Sequence, residues 1–327
     1  PSHGRRVSTD EAVQHIKKAS EAGLIANIAH VWIDPVAFWL RFNELMIICF
    51  CDDRSCLYRT HMRKRGPTLN GAFEKLPGIS VIVPVYNRPS DITACLDSLM
   101  RLDYPRDKLE IIVVDDASTD ETPDVVSRYP VEMIRNKENR QAPYCRNLAA
   151  ARASGDILAF IDSDCLADRT WLRELVPAFR DLKIAAVGGI VESYYHTQAL
   201  DRYEQVRSSL KMGLWPKRSA NNNPFFYVPS CNLLVRKEVF MQTGGFNEAL
   251  VVGEDVDLCW RIRNRGFHID YQPAGSVFHK HRNRIGAFCR RRFDYGTSEP
   301  LLNRLYPGKV KQIVLAPLAS MFWAGLM

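Results

Sequence analysis

Ile79-Ser80-Val81-Ile82-Val83-Pro84-Val85 is a charge-free, mostly β-branched run that leads directly into Tyr86 and Asn87. β-Branched side chains suit a pleated backbone, and a run without polar alternation fits a strand covered on both faces, as in a parallel sheet. Downstream, residues 90–102 read as an amphipathic helix capped by Ser90, residues 109–114 as a second buried strand and residues 122–128 as a short helix. Residues 131–135 read as a third strand, 144–154 as an alanine-rich helix and 157–161 as another buried strand. This alternation predicts βαβ units and an α/β, Rossmann-like domain around a mostly parallel central sheet.

In such sheets ligands bind beyond the carboxyl ends of the strands. Those ends carry Tyr86-Asn87, then Asp115-Asp116-Ala117-Ser118-Thr119-Asp120, then Asp162-Ser163-Asp164. Crowded carboxylates repel unless a cation or hydrogen-bond donors compensate. A hard divalent cation bridging a carboxylate and two phosphates is a common way to hold a nucleoside diphosphate. An isolated Asp-x-Asp is often only a turn or a helix cap. Directly after a buried strand, with a second acidic strand end upstream, the ligand reading is favoured.

Four segments now stand in order: PVYN at 84–87, VVDDASTD at 113–120, the 139–147 stretch containing Arg146-Asn147, and DSDC at 162–165. Together they resemble the donor half of the family 2 inverting glycosyltransferases of GT-A fold, and the resemblance extends over roughly residues 79–281. It implies that Pro84, Tyr86 and Asp116, with Asn87 and Ser163 beside them, line the nucleotide pocket. Arg146 is expected near the nucleotide, Asp162 near the ribose, and Asp164 on Mn2+ or Mg2+. Asp115 is expected only to support its strand end.

The acceptor half carries Val228-Pro229-Ser230-Cys231-Asn232, a helix over 237–243, and Gly253-Glu254-Asp255-Val256-Asp257. In the resembling family the carboxylate of this Glu-Asp motif is the catalytic base, here Asp255 with Glu254 as its neighbour. A sugar hydroxyl is a poor nucleophile, so a positioned base contributes roughly 10²–10⁴-fold. The bland reading is a pair of helix N-terminal carboxylates favoured by the dipole, and Asp257 could cap while Asp255 projects into the site. His279, after a short strand, is expected to join the metal, with His281 a weaker candidate. At least one of Arg290-Arg291-Arg292, here taken as Arg291, is expected to face the donor phosphates on a mobile lid hinged at Gly296. The bland reading of the same run is a basic surface helix near an acidic membrane.

Residues 290–301, with the 253–258 segment and Ala316-Pro317-Leu318, are similar to the glycosyltransferases of mycofactocin maturation. That similarity implies UDP-glucose as donor and, as acceptor, a small molecule derived from a ribosomal peptide. Residues 8–25 read as a helix similar to the last one of a peptide-recognition winged helix. The domain expectation is therefore a helical extension and linker over 1–76, a GT-A domain over 77–300, and an apolar segment over 301–327.

The net charge of +7 suits an anionic partner such as a nucleotide sugar, while no nucleic-acid motif is present. The nine cysteines are scattered, without a C-x-x-C pair, which fits a reducing cytosol. Residues 313–327 lack charge and are fewer than the ~20 a membrane span needs. That leaves an apolar packing or interfacial helix and the start of a membrane segment continuing past Met327 both open, with peripheral contact at the inner face of the cell membrane an expectation. A NAD-type Rossmann enzyme is disfavoured because no G-x-G-x-x-G follows the first strand. Two other readings stand beside the main one. A transferase acting on a lipid or polysaccharide is favoured by the apolar segment. An inactive nucleotide-sugar-binding protein is disfavoured by the intact Asp162/Asp164 and Glu254/Asp255 pairs.

Overall fold

The computed structural model describes residues 26–28, 48–50, 76–208, 210–219, 226–281 and 284–307, in two compact units, Pro1–Gly66 and Pro67–Met327. In the first unit β1 (Ala26–Ile28) pairs antiparallel with β2 (Ile48–Phe50). The helix expected over 8–25 and the apolar segment 313–327 lie outside the described residues.

The second unit is built on β3 (Ile79–Val85), every residue of which is buried. Its side chains alternate between two cores, as a strand covered on both faces requires. Val81, Val83 and Val85 join Ile92, Leu96 and Leu99 of α1 (Pro89–Leu99). Ile82, from the opposite face, joins Cys145, Ala149 and Ala150 of α3 (Gln141–Arg152). Between these helices come β4 (Leu109–Asp115), α2 (Thr122–Val126) and β5 (Glu132–Arg135).

After α3 come β6 (Ile157–Phe160), β7 (Cys165–Ala167), α4 (Trp171–Leu175), β8 (Ile184–Gly188), β9 (Val191–Ser193) and α5 (Ala199–Arg207). The chain continues through β10 (Lys217–Arg218), β11 (Leu233–Arg236), α6 (Lys237–Gln242), α7 (Glu254–Asn264), β12 (His268–Tyr271), β13 (Val277–His279) and α8 (Ile285–Leu305).

The large sheet runs β10-β12-β8-β11-β6-β3-β4-β5. β3 pairs in parallel with β4 and β6, β4 with β5, and β12 with β8, while β10 and β11 enter antiparallel. The predicted α/β architecture is therefore present, with β11 inserted antiparallel at its centre. A small second sheet, β7-β13-β9, lies beside it and carries Cys165 and His279 in register.

Some boundaries differ from the sequence reading. α1 begins at Pro89 with Arg88 as N-cap and no side-chain cap, so Ser90 lies inside the helix. Proline in the first turn supplies the preset φ and needs no N–H partner. α8 runs unbroken across residue 300, so the expected boundary between 300 and 301 falls inside a helix. Gly296 sits within that helix and is not among the positive-φ glycines, so the expected hinge position is helical in this structure. Among the described residues no helix is long and apolar enough to cross a membrane.

Candidate functional site

The carboxyl ends of β3, β4 and β6 open into a cavity of about 790 Å³. Pro84 and Tyr86 line it from β3, Asp116 from β4, and Asp162, Ser163 and Asp164 from β6. Glu254 and Asp255 enter from the first turn of α7, His279 from β13, and Arg291 from α8. Asn87 is the exception. Its Oδ1 accepts the Thr119 backbone N–H at 2.8 Å and its own N–H donates to Ser118 Oγ at 2.9 Å, so it ties two strand-end loops together and does not line the cavity.

Asp116 is held firmly. Oδ1 accepts from Asn136 Nδ2 and the Arg140 N–H, and Oδ2 from the Gln141 N–H, each at 2.8 Å. Its neighbour Asp115 is fully buried; it accepts the Ser118 N–H and pairs with Arg135 at 3.1 Å, the supporting role expected of it. Gln141 occupies positive φ, 70°, where the chain turns its N–H toward Asp116.

Arg146 links the two halves of the cavity. It is 3% exposed, and its Nη2 reaches Asp162 at 2.6 Å while Nη1 reaches Glu254 at 2.9 Å. Burial alone would push the Asp162 carboxyl up. The Arg146 charge and hydrogen bond, helped by His279 and Arg291, hold it below the usual carboxylate range. Ser230 was missed in the sequence, though it sits in the quoted 228–232 segment. Its Oγ donates to Glu254 at 3.2 Å and its N–H to Asp255 at 3.3 Å.

With Glu254 paired, Asp255 is left with backbone donors only, those of Ser230 and Val256. Burial, then the charge of Glu254, raises its pKa to about 7. Asp257 does not cap α7. It pairs with Arg261 at 2.6 Å and accepts from the Tyr306 hydroxyl at 2.5 Å. The helix is instead entered through Gly253 in the left-handed region, φ 83°.

Asp164, Cys165 and His279 offer ligand atoms within 4.8 Å of one another, with an Asp164 oxygen 3.6 Å from His279 Nε2. Burial pushes the Cys165 thiol well up, and sulfur is a soft donor that suits a hard divalent cation less well than oxygen. The remaining carboxylate and imidazole fit a borderline-hard divalent cation. Arg291 stacks on Tyr295 at 4.7 Å; burial would lower its pKa, but Tyr295 and the Asp162 and Asp164 charges raise it. Arg88, unremarked in the sequence, also lines the cavity and pairs with Asp91 at 3.0 Å.

Residues 80–244, half of the chain, match Glycosyl transferase family 2, and the chain belongs to that family. It is 32% identical over 249 residues to pre-mycofactocin glycosyltransferase of Mycobacterium tuberculosis, covering 75% of this chain and 52% of that protein. The chain thus spans about half the length of that relative. It is 30% identical over 232 residues to glycosyltransferase AglE of Haloferax volcanii, covering 68% and 73% of the two chains. A mannosyltransferase from Pyrobaculum calidifontis, solved with GDP-mannose and Mn2+, superposes with a TM-score of 0.57 at 26% identity over 78% of this chain and 72% of that one. The fold is the GT-A fold of these neighbours.

Proposed function

We propose that this chain is an inverting glycosyltransferase that moves a sugar from a nucleotide-sugar donor to an acceptor hydroxyl. The observation that carries this reading is Arg146, which joins a donor-side carboxylate, Asp162, to the Glu254-Asp255 pair across one cavity. The donor is read as UDP-glucose. Pro84, Tyr86, Asp116 and Ser163 would take its nucleoside, and Arg291 its diphosphate. Asp164 and His279 would hold Mn2+ or Mg2+, which when bound supplies Lewis-acid stabilisation of the departing diphosphate.

Asp255 accepts the proton of the acceptor hydroxyl as that oxygen attacks the anomeric carbon. The bond from that carbon to the diphosphate oxygen breaks, and UDP leaves on the opposite face. A carboxylate with a pKa near neutrality suits this task, since a base works best when its pKa lies near the working pH. Similarity to pre-mycofactocin glycosyltransferase supports a peptide-derived acceptor of that class.

The test is Asp255→Asn assayed by UDP release, alongside UDP binding. Turnover is expected to fall ~10²-fold or more with binding nearly unchanged. A variant that keeps most of its turnover moves the base elsewhere, Glu254 being next.

A further inference from the structure

His279 ends β13, and two residues on, His281 projects to the same side of the chain, while the intervening Lys280 turns away to pair with Asp91 at 2.8 Å. The two imidazole rings lie 4.6 Å apart, and their Nδ1 atoms are 3.2 Å apart. His281 is 8% exposed, so the solvent that could serve its ring is largely excluded. Glu204 of α5, also buried, places Oε2 3.8 Å from His281 Nδ1, and its other oxygen pairs with Arg292 of α8 at 2.9 Å. None of His281, Glu204 and Arg292 is used by the function proposed above.

Given the cation reading, on which this rests, we infer that His281 is a positioning residue that fixes the tautomer and ring angle of His279, with Glu204 and Arg292 packed beside it on α5 and α8. The argument is one of lone pairs. His279 turns Nε2 toward Asp164, so Nε2 must carry a lone pair to meet a cation, and the ring proton sits on Nδ1. The atom facing that Nδ1–H is His281 Nδ1, which therefore accepts and carries its own proton on Nε2. Glu204 lies 3.8 Å from His281 Nδ1, beyond hydrogen-bond distance, and its other oxygen is paired with Arg292. A ligating histidine generally gives its second N–H to such a partner, and losing the partner typically weakens metal affinity 10–100-fold. Arg292 adjoins Arg291, so the same contact ties the proposed cation position to the helix that lines the donor side of the cavity.

The experiment measures Mn2+ affinity by EPR with UDP present, and the nitrogen coupling of the bound ion by pulsed EPR, in the full chain and in His281→Ala and His281→Gln. Expected are a nitrogen coupling in the parent protein and, in His281→Ala, an affinity loss of about 10–100-fold with that coupling weakened or lost. His281→Gln supplies a carbonyl acceptor and should recover most of both, an outcome that a purely structural role would not produce. A His281→Ala protein with parental affinity and coupling overturns the inference while leaving the cation reading intact. A parent protein that binds Mn2+ without nitrogen coupling, or not at all, overturns the His279 ligand assignment and the inference with it.

Discussion

Replacing Asp255 by asparagine should stabilise the ligand-free protein, and increasingly so as pH rises. The Asp255 carboxyl is raised from 3.8 to about 7 by burial and by Glu254. Below the unfolded value the group is protonated in both states and costs nothing. Between the two values the unfolded chain releases the proton while the folded one keeps it, so stability falls with rising pH, and above about 7 the penalty is constant. A shift of about three units at 1.36 kcal/mol each sets an upper bound of ~4 kcal/mol at pH 8. Partial exposure of the side chain reduces this, and about 2 kcal/mol should appear between pH 5 and pH 8. The amide keeps an oxygen for the backbone N–H of Val256 or Ser230, so little packing is lost. Urea unfolding of both proteins with chelator and without nucleotide measures the difference at each pH. An advantage for Asp255→Asn that is flat with pH, or a loss at pH 8, would refute the raised carboxyl and with it the poised base.

The same ionisation should give kcat/KM an acid limb with an apparent pKa near 7, activity rising with pH as Asp255 loses its proton, and a limb below pH 5 would contradict it. Arg146→Met leaves the buried Glu254 and the partly exposed Asp162 without their shared cation, and should cost up to about 3–5 kcal/mol in chemical denaturation, less for the share of Asp162 that water can reach. A loss under 1 kcal/mol would show that water replaces the guanidinium. Asn232 is fully buried; it accepts from Trp171 Nε1 at 2.8 Å and donates to the Ile190 and Gly275 carbonyls. Asn232→Ala should therefore lower stability by about 2–4 kcal/mol through unpaired buried groups, as read by denaturant midpoint.

The donor half was legible because its signals are local. The β3 run, the acidic ends of β4 and β6, and the spacing of the helices between them are all written within short windows. What the sequence hid was long-range. Arg146 meets Glu254 from 108 positions away, and β11 enters the parallel sheet antiparallel with no local mark of that direction. Asn87 looked like a ligand because it follows the first strand. Its side chain instead binds the Thr119 loop, a contact that only the β3–β4 pairing creates. Gly296 reads as a hinge for its backbone freedom, whereas here it lies inside the continuous helix α8. The His281–Glu204–Arg292 cluster joins three elements, so no single window contained it.

The central claim is that one cavity binds a nucleoside diphosphate through a divalent cation held by Asp164. Calorimetric titration of UDP with Mn2+ and then with chelator, in the parent protein and in Asp164→Ala, tests it most directly. The account predicts affinity that collapses with chelator and is weakened at least tenfold in Asp164→Ala even with Mn2+ in excess. Equal UDP affinity with and without the cation would contradict it.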